Sequence, residues 1–361
     1  MENRIEKVYN WIEEELDAVV ILNSVKPHID KTFFYLTGLQ DGLFENCGII
    51  AYPDHTAELC TSKLEADSAE KAEIPTFIME DREELEEWLE ENLSGLKKIG
   101  INASEITYRA FERIEDATDA EIVDISDAIA EARNRKDEKE IEILDKAGTI
   151  ASEVAEEITD HIEKGMKEYE IAAEITYLMK KKGATGDAFE VIAGSGPNSA
   201  EPHYTSGERE LKKGDFLVLD FGALYKRYRS DITRTYIIDE ASDRQKKMYE
   251  TVLEAQKAAF EKIEPGVEGA EVHNAAKEVI DSTEFEGKFI HGLGHSIGLS
   301  THDGSGLSPN VEVKLEPGMV FTVEPGIYIS DLGGVRIEDD IVVTEDGYDL
   351  LTDADKDMKI L

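Results

Sequence analysis

The chemistry in this chain gathers around two aspartates, Asp220 and Asp231, in the stretch FLVLDFGALYKRYRSDITRTYII that runs from Phe216 to Ile238. Strand-like residues lie on both sides of Gly222 and a basic turn, which predicts a hairpin folding back near Tyr225. Such a hairpin sets the two aspartates on neighbouring strands, where facing side chains sit about 5 Å apart. Carboxylates that close repel one another unless a cation lies between them. Alone, the pair also reads as two solvated edge aspartates in an acidic chain. Further metal-capable side chains follow: His291, His295, His302 and Asp303 in HGLGHSIGLSTHD, Glu324 in FTVEPGIY, and Glu338 in GVRIEDD, with His203 upstream in Pro202–Tyr204. His291 and His295 are spaced i, i+4, but Gly292 and Gly294 favour a loop over a helix there. Alternation from Val335 to Val342 predicts a strand with Arg336 and Glu338 on one face, the arginine supporting the acid.

Five motifs in this order between Pro202 and Asp340 resemble the pita-bread metallopeptidases, the family of methionine aminopeptidase, aminopeptidase P and prolidase, and most closely the last two. The resemblance implies that Asp220, Asp231, His295, Glu324 and Glu338 hold two divalent metal ions. Four carboxylates and two dications are close to charge balance, and a water shared between the ions loses its proton far more readily than bulk water. Oxygen-rich ligation with one imidazole and no thiolate suits Mn, Co, Zn or Fe and argues against Cu(I) or an iron–sulfur cluster; the family favours manganese or cobalt. His203, His291 and His302 match pocket histidines expected to hydrogen-bond the scissile carbonyl and pass protons, Glu324 also matches the proton shuttle, and Arg336 or a residue of the N-terminal domain is a candidate for the substrate's carboxylate. The activity implied is hydrolysis of the bond between an N-terminal residue and proline, as in prolidase or aminopeptidase P. Two departures stand out: Thr301 precedes His302 where these families usually carry an aliphatic residue, and GSGLSPN after Asp303 lacks the arginine of some dipeptide-specific prolidases. The substrate is therefore left as a peptide or dipeptide with proline second. A methionine aminopeptidase-like enzyme, a creatinase-like hydrolase that uses no metal, and a binding protein on the same fold are the alternatives.

These residues need elements to position them. Before about residue 132, helical and strand patterns alternate: a helix near residues 2–16, a strand AVVILN, a hairpin around Pro53 and Asp54, a charged helix over 82–92, the strand KKIGIN, and helices after Ser104 and near Ser126 to Ala132. His28 and His55 lie beside turn residues and read as surface histidines. The charged run Ala132 to Glu140 reads as a linker into a helix over 139–164, followed by a second over 168–182. Strands come next, and then the order repeats with helices over 242–264 and 268–282 and a second set of strands. That repetition predicts two similar halves. The fold expected is an α/β domain over residues 1–132, similar to the creatinase/prolidase N-terminal domain, followed by an α+β pita-bread (creatinase/aminopeptidase) catalytic domain over 133–361. His161 and His273 fall on helices and receive no role.

Composition bounds the partners. Of 361 residues, 80 are Asp or Glu against 39 Lys or Arg, a net charge of −41. Such a surface repels nucleic-acid phosphate and anionic lipid, so neither is expected as a partner. Tolerance of a salt-rich cytoplasm is one account of the charge, since screening removes self-repulsion; 27 lysines against 12 arginines speak against an extreme form of it. Cys47 and Cys60 read as buried small hydrophobes in a reducing compartment. With no apolar leader and no run of 18 apolar residues, a soluble cytoplasmic protein is expected, and a homodimer is compatible with the resemblance.

Overall fold

The computed structural model describes residues 4–81 and 83–361. It divides into two compact units, Met1–Arg133 and Asn134–Leu361.

The first unit is built on a six-stranded sheet of β1 (Ala18–Leu22), β2 (Gly48–Ala51), β3 (Ala57–Ser62), β4 (Thr76–Met79), β5 (Lys98–Ile101) and β6 (Glu121–Asp124), in the order β4-β3-β2-β1-β5-β6. The predicted hairpin is the antiparallel β2–β3 pair. Helices α1 (Arg4–Tyr9), α2 (Lys31–Thr37), α3 (Ala66–Ala69), α4 (Glu83–Leu93), α5 (Tyr108–Ala117) and α6 (Ser126–Asn134) complete it. The helix expected over 2–16 is shorter: α1 stops at Tyr9, and its expected start at residues 2–3, like Arg82 of the helix expected over 82–92, lies outside the described residues. Glu13, Glu14 and Glu15 would have loaded the negative pole of a longer helix with acids. Asp17 instead accepts the backbone N–H groups of Lys97 and Lys98 and ties the chain to the entry of β5.

The boundary between the units falls within the charged run read as a linker into a helix, and several of its residues are buried. Arg133, Asn134, Lys136 and Glu140 are buried. Arg135 bridges to Met319, Lys136 donates to the Asn134 carbonyl and the Ser296 hydroxyl, and Asp137 with Glu140 forms a capping box on the helix that follows. Polar partners within reach explain why Lys136 and Glu140 can be buried.

That helix, α7 (Glu138–Glu157), ends earlier than expected, passing into a 3₁₀ turn over Ile158–His161, where His161 meets Glu174 at 2.9 Å. After α8 (Glu168–Lys181) come β7 (Gly186–Asp187), β8 (Ile192–Ser195), β9 (Phe216–Phe221), β10 (Ala223–Tyr225), β11 (Tyr228–Arg229) and β12 (Ile232–Ile237). Helices α9 (Asp243–Phe260) and α10 (Gly269–Asp281) precede β13 (Gly294–His295), β14 (Gly306–Leu307), β15 (Val320–Val323), β16 (Gly326–Ile329), β17 (Gly333–Arg336), β18 (Glu338–Val343) and β19 (Tyr348–Leu350). The helix–helix–strands order thus occurs twice. The main sheet runs β15-β18-β12-β9-β8, with β19 against β18. Alternation along β9 and β12 divides their side chains between two cores: Leu217, Leu219 and Tyr236 pack with α7 and α8, whereas Phe216 and Ile237 pack with α9 and α10.

Arg234 pins the middle of this sheet. It is fully buried, pairs with buried Asp339 at 2.7 Å, and donates to the carbonyls of Thr233, Glu338, Ala354 and Asp355. Arg234→Ala leaves Asp339 short of its partner, and we expect a loss of about 3–5 kcal/mol in urea unfolding. Arg234→Lys should recover little of it, because one ammonium cannot reproduce the fork of donors.

Candidate metal centre

Register on the main sheet gathers the acids. Thr233 on β12 lies opposite Asp220 on β9 and opposite Glu338 on β18. Asp231, two residues before Thr233, shares its face by strand alternation, and Glu324 follows the end of β15. The two aspartates are not the directly facing pair that a simple hairpin implies. Asp231 lies just before β12, diagonal to Asp220, because the chain between them breaks from the sheet at Gly222 and forms the separate β10–β11 ladder. Diagonal neighbours still lie within reach of a shared partner.

The imidazole comes from β13. The His295 N–H donates to the Thr322 hydroxyl, which donates onward to Glu324. The ring Nε2 stands 3.7 Å from Asp231 Oδ2 and 3.7 Å from Glu324 Oε1. Asp231, His295 and Glu338 each offer a ligand atom within 4.8 Å of the others. Asp220 and Glu324 line the same cavity of about 890 Å³. Asp220 Oδ1 and Asp231 Oδ1 are buried without a hydrogen-bond partner. Buried carboxylate oxygens normally have partners, so these two are free to serve a cation.

Electrostatics point the same way. Burial, reinforced by the charges of Glu338 and Asp220, holds the Asp231 carboxyl well above the usual carboxylate range. Burial and then Glu324 and Asp220 do the same to Glu338. Glu324 is pushed up to about 8 by burial, against the pull of Arg336. Burial brings His295 down to about 4, which keeps it neutral and able to coordinate. Hard oxygen donors with one neutral imidazole fit a divalent ion of the Mn, Co, Zn or Fe type.

The remaining expected site residues also line the cavity. His302 stands edge-on to His295 with ring centroids 4.2 Å apart, and exposed His203 sits in the segment after β8. His291 is more constrained than its motif suggests: Nδ1 lies 2.7 Å from the Gly292 carbonyl and Nε2 3.0 Å from the Tyr328 hydroxyl, and burial brings it down to about 4. Arg336 and Glu338 do not share one strand, as alternation implied. Ile337 separates β17 from β18, which pair with different neighbours. The Arg336 guanidinium is spent within the site, on Asp220 at 2.5 Å, the Tyr328 hydroxyl at 2.9 Å and the Thr233 hydroxyl at 3.1 Å. Sequence reasoning missed the hydroxyls that join these charges. Thr233 bonds both Glu338 and Arg336, Tyr328 bridges Arg336 and His291, and Asp340 accepts the Asp231 N–H at 2.7 Å. Their only signal was proximity to the motifs, since threonine and tyrosine are ordinary in strands.

The chain resembles known proteins along its whole length. Residues 142–345 match the profile of metallopeptidase family M24 and residues 4–135 that of the creatinase/prolidase N-terminal domain. The chain is 36% identical over 361 residues to the Xaa-Pro dipeptidase of Pyrococcus horikoshii, covering 99% of each chain. Among solved structures, the Xaa-Pro dipeptidase from Bacillus anthracis superposes with a TM-score of 0.92 at 34% identity, covering 99% of both chains. The X-Pro aminopeptidase from Thermotoga maritima MSB8 gives 0.91 at 32% identity, covering 98% of this chain and 100% of that one.

The raised carboxyls set a pH dependence for the metal-free protein. A carboxyl whose folded pKa lies above its unfolded one keeps its proton in the folded state, so its contribution to stability is lost as pH rises through the folded value. Between about pH 6.5 and 8, histidines lowered to about 4 no longer titrate, while Glu324 at about 8 does. After chelation the melting temperature should therefore fall across this window. Divalent metal should restore it more at pH 8 than at pH 6.5, and Glu324→Gln should flatten the metal-free slope. Scanning calorimetry with and without chelator measures all three.

Proposed function

The chain belongs to metallopeptidase family M24, and we propose that it removes an N-terminal residue from peptides whose second residue is proline, with divalent metal held by Asp220, Asp231, His295, Glu324 and Glu338. In this assignment residues 1–132 are the creatinase-like N-terminal domain and residues 133–361 the catalytic domain. The observation that carries the reading is the convergence of those five side chains on one cavity, in a chain that aligns end to end with Xaa-Pro dipeptidases. Manganese or cobalt is the proposed metal, with zinc or iron also suited to the donors. Bound there, two divalent ions would polarise the scissile carbonyl and acidify water.

The chain's own groups have distinct tasks. Glu324, beside His295 and steadied by Thr322, is placed to carry a proton from attacking water to the departing prolyl nitrogen. His302 and His203 present ring nitrogens at the cavity for the peptide carbonyl. His291, with Nδ1–H given to a carbonyl and Nε2 to Tyr328, supports the wall more than it exchanges protons. Arg336 is a catalytic-site residue through its hold on Asp220, since its donors leave little for a substrate carboxylate. The site's acids would welcome the substrate's ammonium, which limits cleavage to the first residue.

The substrate proposed is a dipeptide, as the names of the Xaa-Pro dipeptidase relatives suggest, or a longer peptide with proline second. Among the described residues lining the cavity, Arg336 is the only lysine or arginine, while Glu190 and Glu201 stand exposed on its wall. A cytoplasmic setting fits the two free, buried cysteines, and among the described residues no helix is long and apolar enough to cross a membrane. A homodimer is part of the same proposal, by likeness to related enzymes.

Initial rates on Xaa-Pro dipeptides and Xaa-Pro-Xaa tripeptides, with peptides lacking proline as controls, test the reading. We expect metal-dependent release of the first residue from the proline peptides alone; equal rates on the controls would remove the specificity. Glu338→Gln should lose more activity than the roughly 10–100-fold that removal of a supporting partner costs. Its metal-free melting temperature should stay at or above wild type, because folding no longer has to hold a raised carboxyl in its protonated form.

A further inference from the structure

Outside the proposed ligands, a heavily used buried carboxylate is that of Glu168, in the first turn of α8 and fully inaccessible to solvent. Its donors all come from one segment, residues 195–207, which leaves the main sheet at the end of β8 and returns beside it. Oε1 accepts the Ser195 N–H at 2.8 Å, the Ser195 hydroxyl at 2.6 Å and the Asn198 amide at 3.0 Å. Oε2 accepts the Tyr204 hydroxyl at 2.8 Å, the Gly207 N–H at 3.2 Å and the same Asn198 amide at 3.2 Å. The middle of the segment, from Ala200 to Thr205, lines the cavity and includes His203. Tyr204 also receives the Asn198 amide on its hydroxyl, at 2.7 Å.

We propose that Glu168 is a positioning residue for the hydrolysis: by gathering both ends of this segment onto one carboxylate, it holds His203 at the cavity wall. The proposal rests on the Xaa-Pro peptidase reading, in which His203 meets the substrate. A carboxylate suits the task because every group around it donates, and charge-assisted bonds of this kind are about twice as strong as neutral ones. Glutamine cannot replace it. Its NH₂ must face either the Ser195 N–H or the Gly207 N–H, and a backbone donor cannot reverse its role. The fold has a separate hold on the same region: the N–H groups of Glu168 and Tyr169 donate to the carbonyls of Arg209 and Gly207, and Arg209 pairs with Asp215. Ser199 and Ser206 keep their own bonds to Gly334 and Ala193, so loss of the carboxylate loosens the stretch around His203 without detaching the segment or α8.

The test is a double-mutant cycle on the metal-loaded, full-length protein, with kcat/KM measured on an Xaa-Pro peptide alongside bound metal and melting temperature. Misplacing a group that meets substrate by about 1 Å can cost on the order of 100-fold, so Glu168→Gln and His203→Ala should each lower kcat/KM by at least about tenfold with metal content unchanged. Because Glu168 acts through His203, the double variant should fall within about threefold of His203→Ala, the scatter typical of additivity measurements. Multiplying losses, wild-type rates in Glu168→Gln, or no effect of His203→Ala would each overturn the proposal. Should Glu168→Gln fail to fold, Tyr204→Phe, which removes one donor and keeps the ring, enters the cycle in its place under the same criteria. A wild-type protein that releases nothing from Xaa-Pro peptides defeats the peptidase reading itself. An active wild type with an uncoupled Glu168→Gln defeats only the positioning role.

Discussion

The second unit depends on bringing several carboxylates out of water onto one face of one sheet. Asp220, Asp231 and Glu338 lie on or beside adjoining strands, Glu324 closes the group from the end of β15, and Asp340 stands behind Asp231. Burying like charges is so costly that such groups keep their protons unless something positive compensates. Among the described residues that line the cavity, Arg336 is the only lysine or arginine, and it goes to Asp220. On the proposed reading, the remaining deficit would give the site its affinity for divalent ions, so that a folding penalty and a binding function share one origin.

That arrangement requires a frame that does not yield to repulsion. Thr233 sits between Asp220 and Glu338 in the register and bonds the second directly. Behind the same strand, Arg234 and Asp339 form a fully buried ion pair, with Lys356 and Gln256 also on Asp339. Successive residues of β12 thus face opposite ways, Thr233 into the acidic site and Arg234 into a neutralised network that ties in the C-terminal segment through the carbonyls of Ala354 and Asp355. Opposite charge is placed where the function needs none, so that the working face can stay short of it.

Residue types and order were enough to find the acids, the histidines and the helix–helix–strands repetition, because each leaves a local mark: a hydrophobic period, a glycine-rich loop, an acid beside a proline. What sequence could not show was register. Whether Asp220 faces Asp231 or Thr233 turns on where the chain leaves the sheet, and Gly222 offered only a faint hint. The break at Ile337 was hidden for the same reason, since β17 and β18 read as one alternating run. Glu168 is, by sequence, one acid at the start of a helix, and nothing near it in sequence announces the five donors that meet it. The charged stretch before α7 misled in the other direction, because composition counts charges but not the partners that allow Lys136 and Glu140 to be buried.

The glycines around the motifs also take a different meaning from the flexible loops they resemble. A Cβ on Gly294 would stand 1.9 Å from the Thr322 carbonyl oxygen, and one on Gly222 would stand 1.8 Å from that of Ser230. At both places the absence of a side chain lets two backbones touch: the His295 strand against β15, and the exit from β9 against the residue before Asp231. Without the first contact the His295 N–H could not reach Thr322, and without the second Asp231 could not return beside Asp220. The spacing of HGLGH is therefore a packing requirement before it is a chemical one, because a ligand set made from distant strands is only as well placed as the closeness of the backbones that carry it.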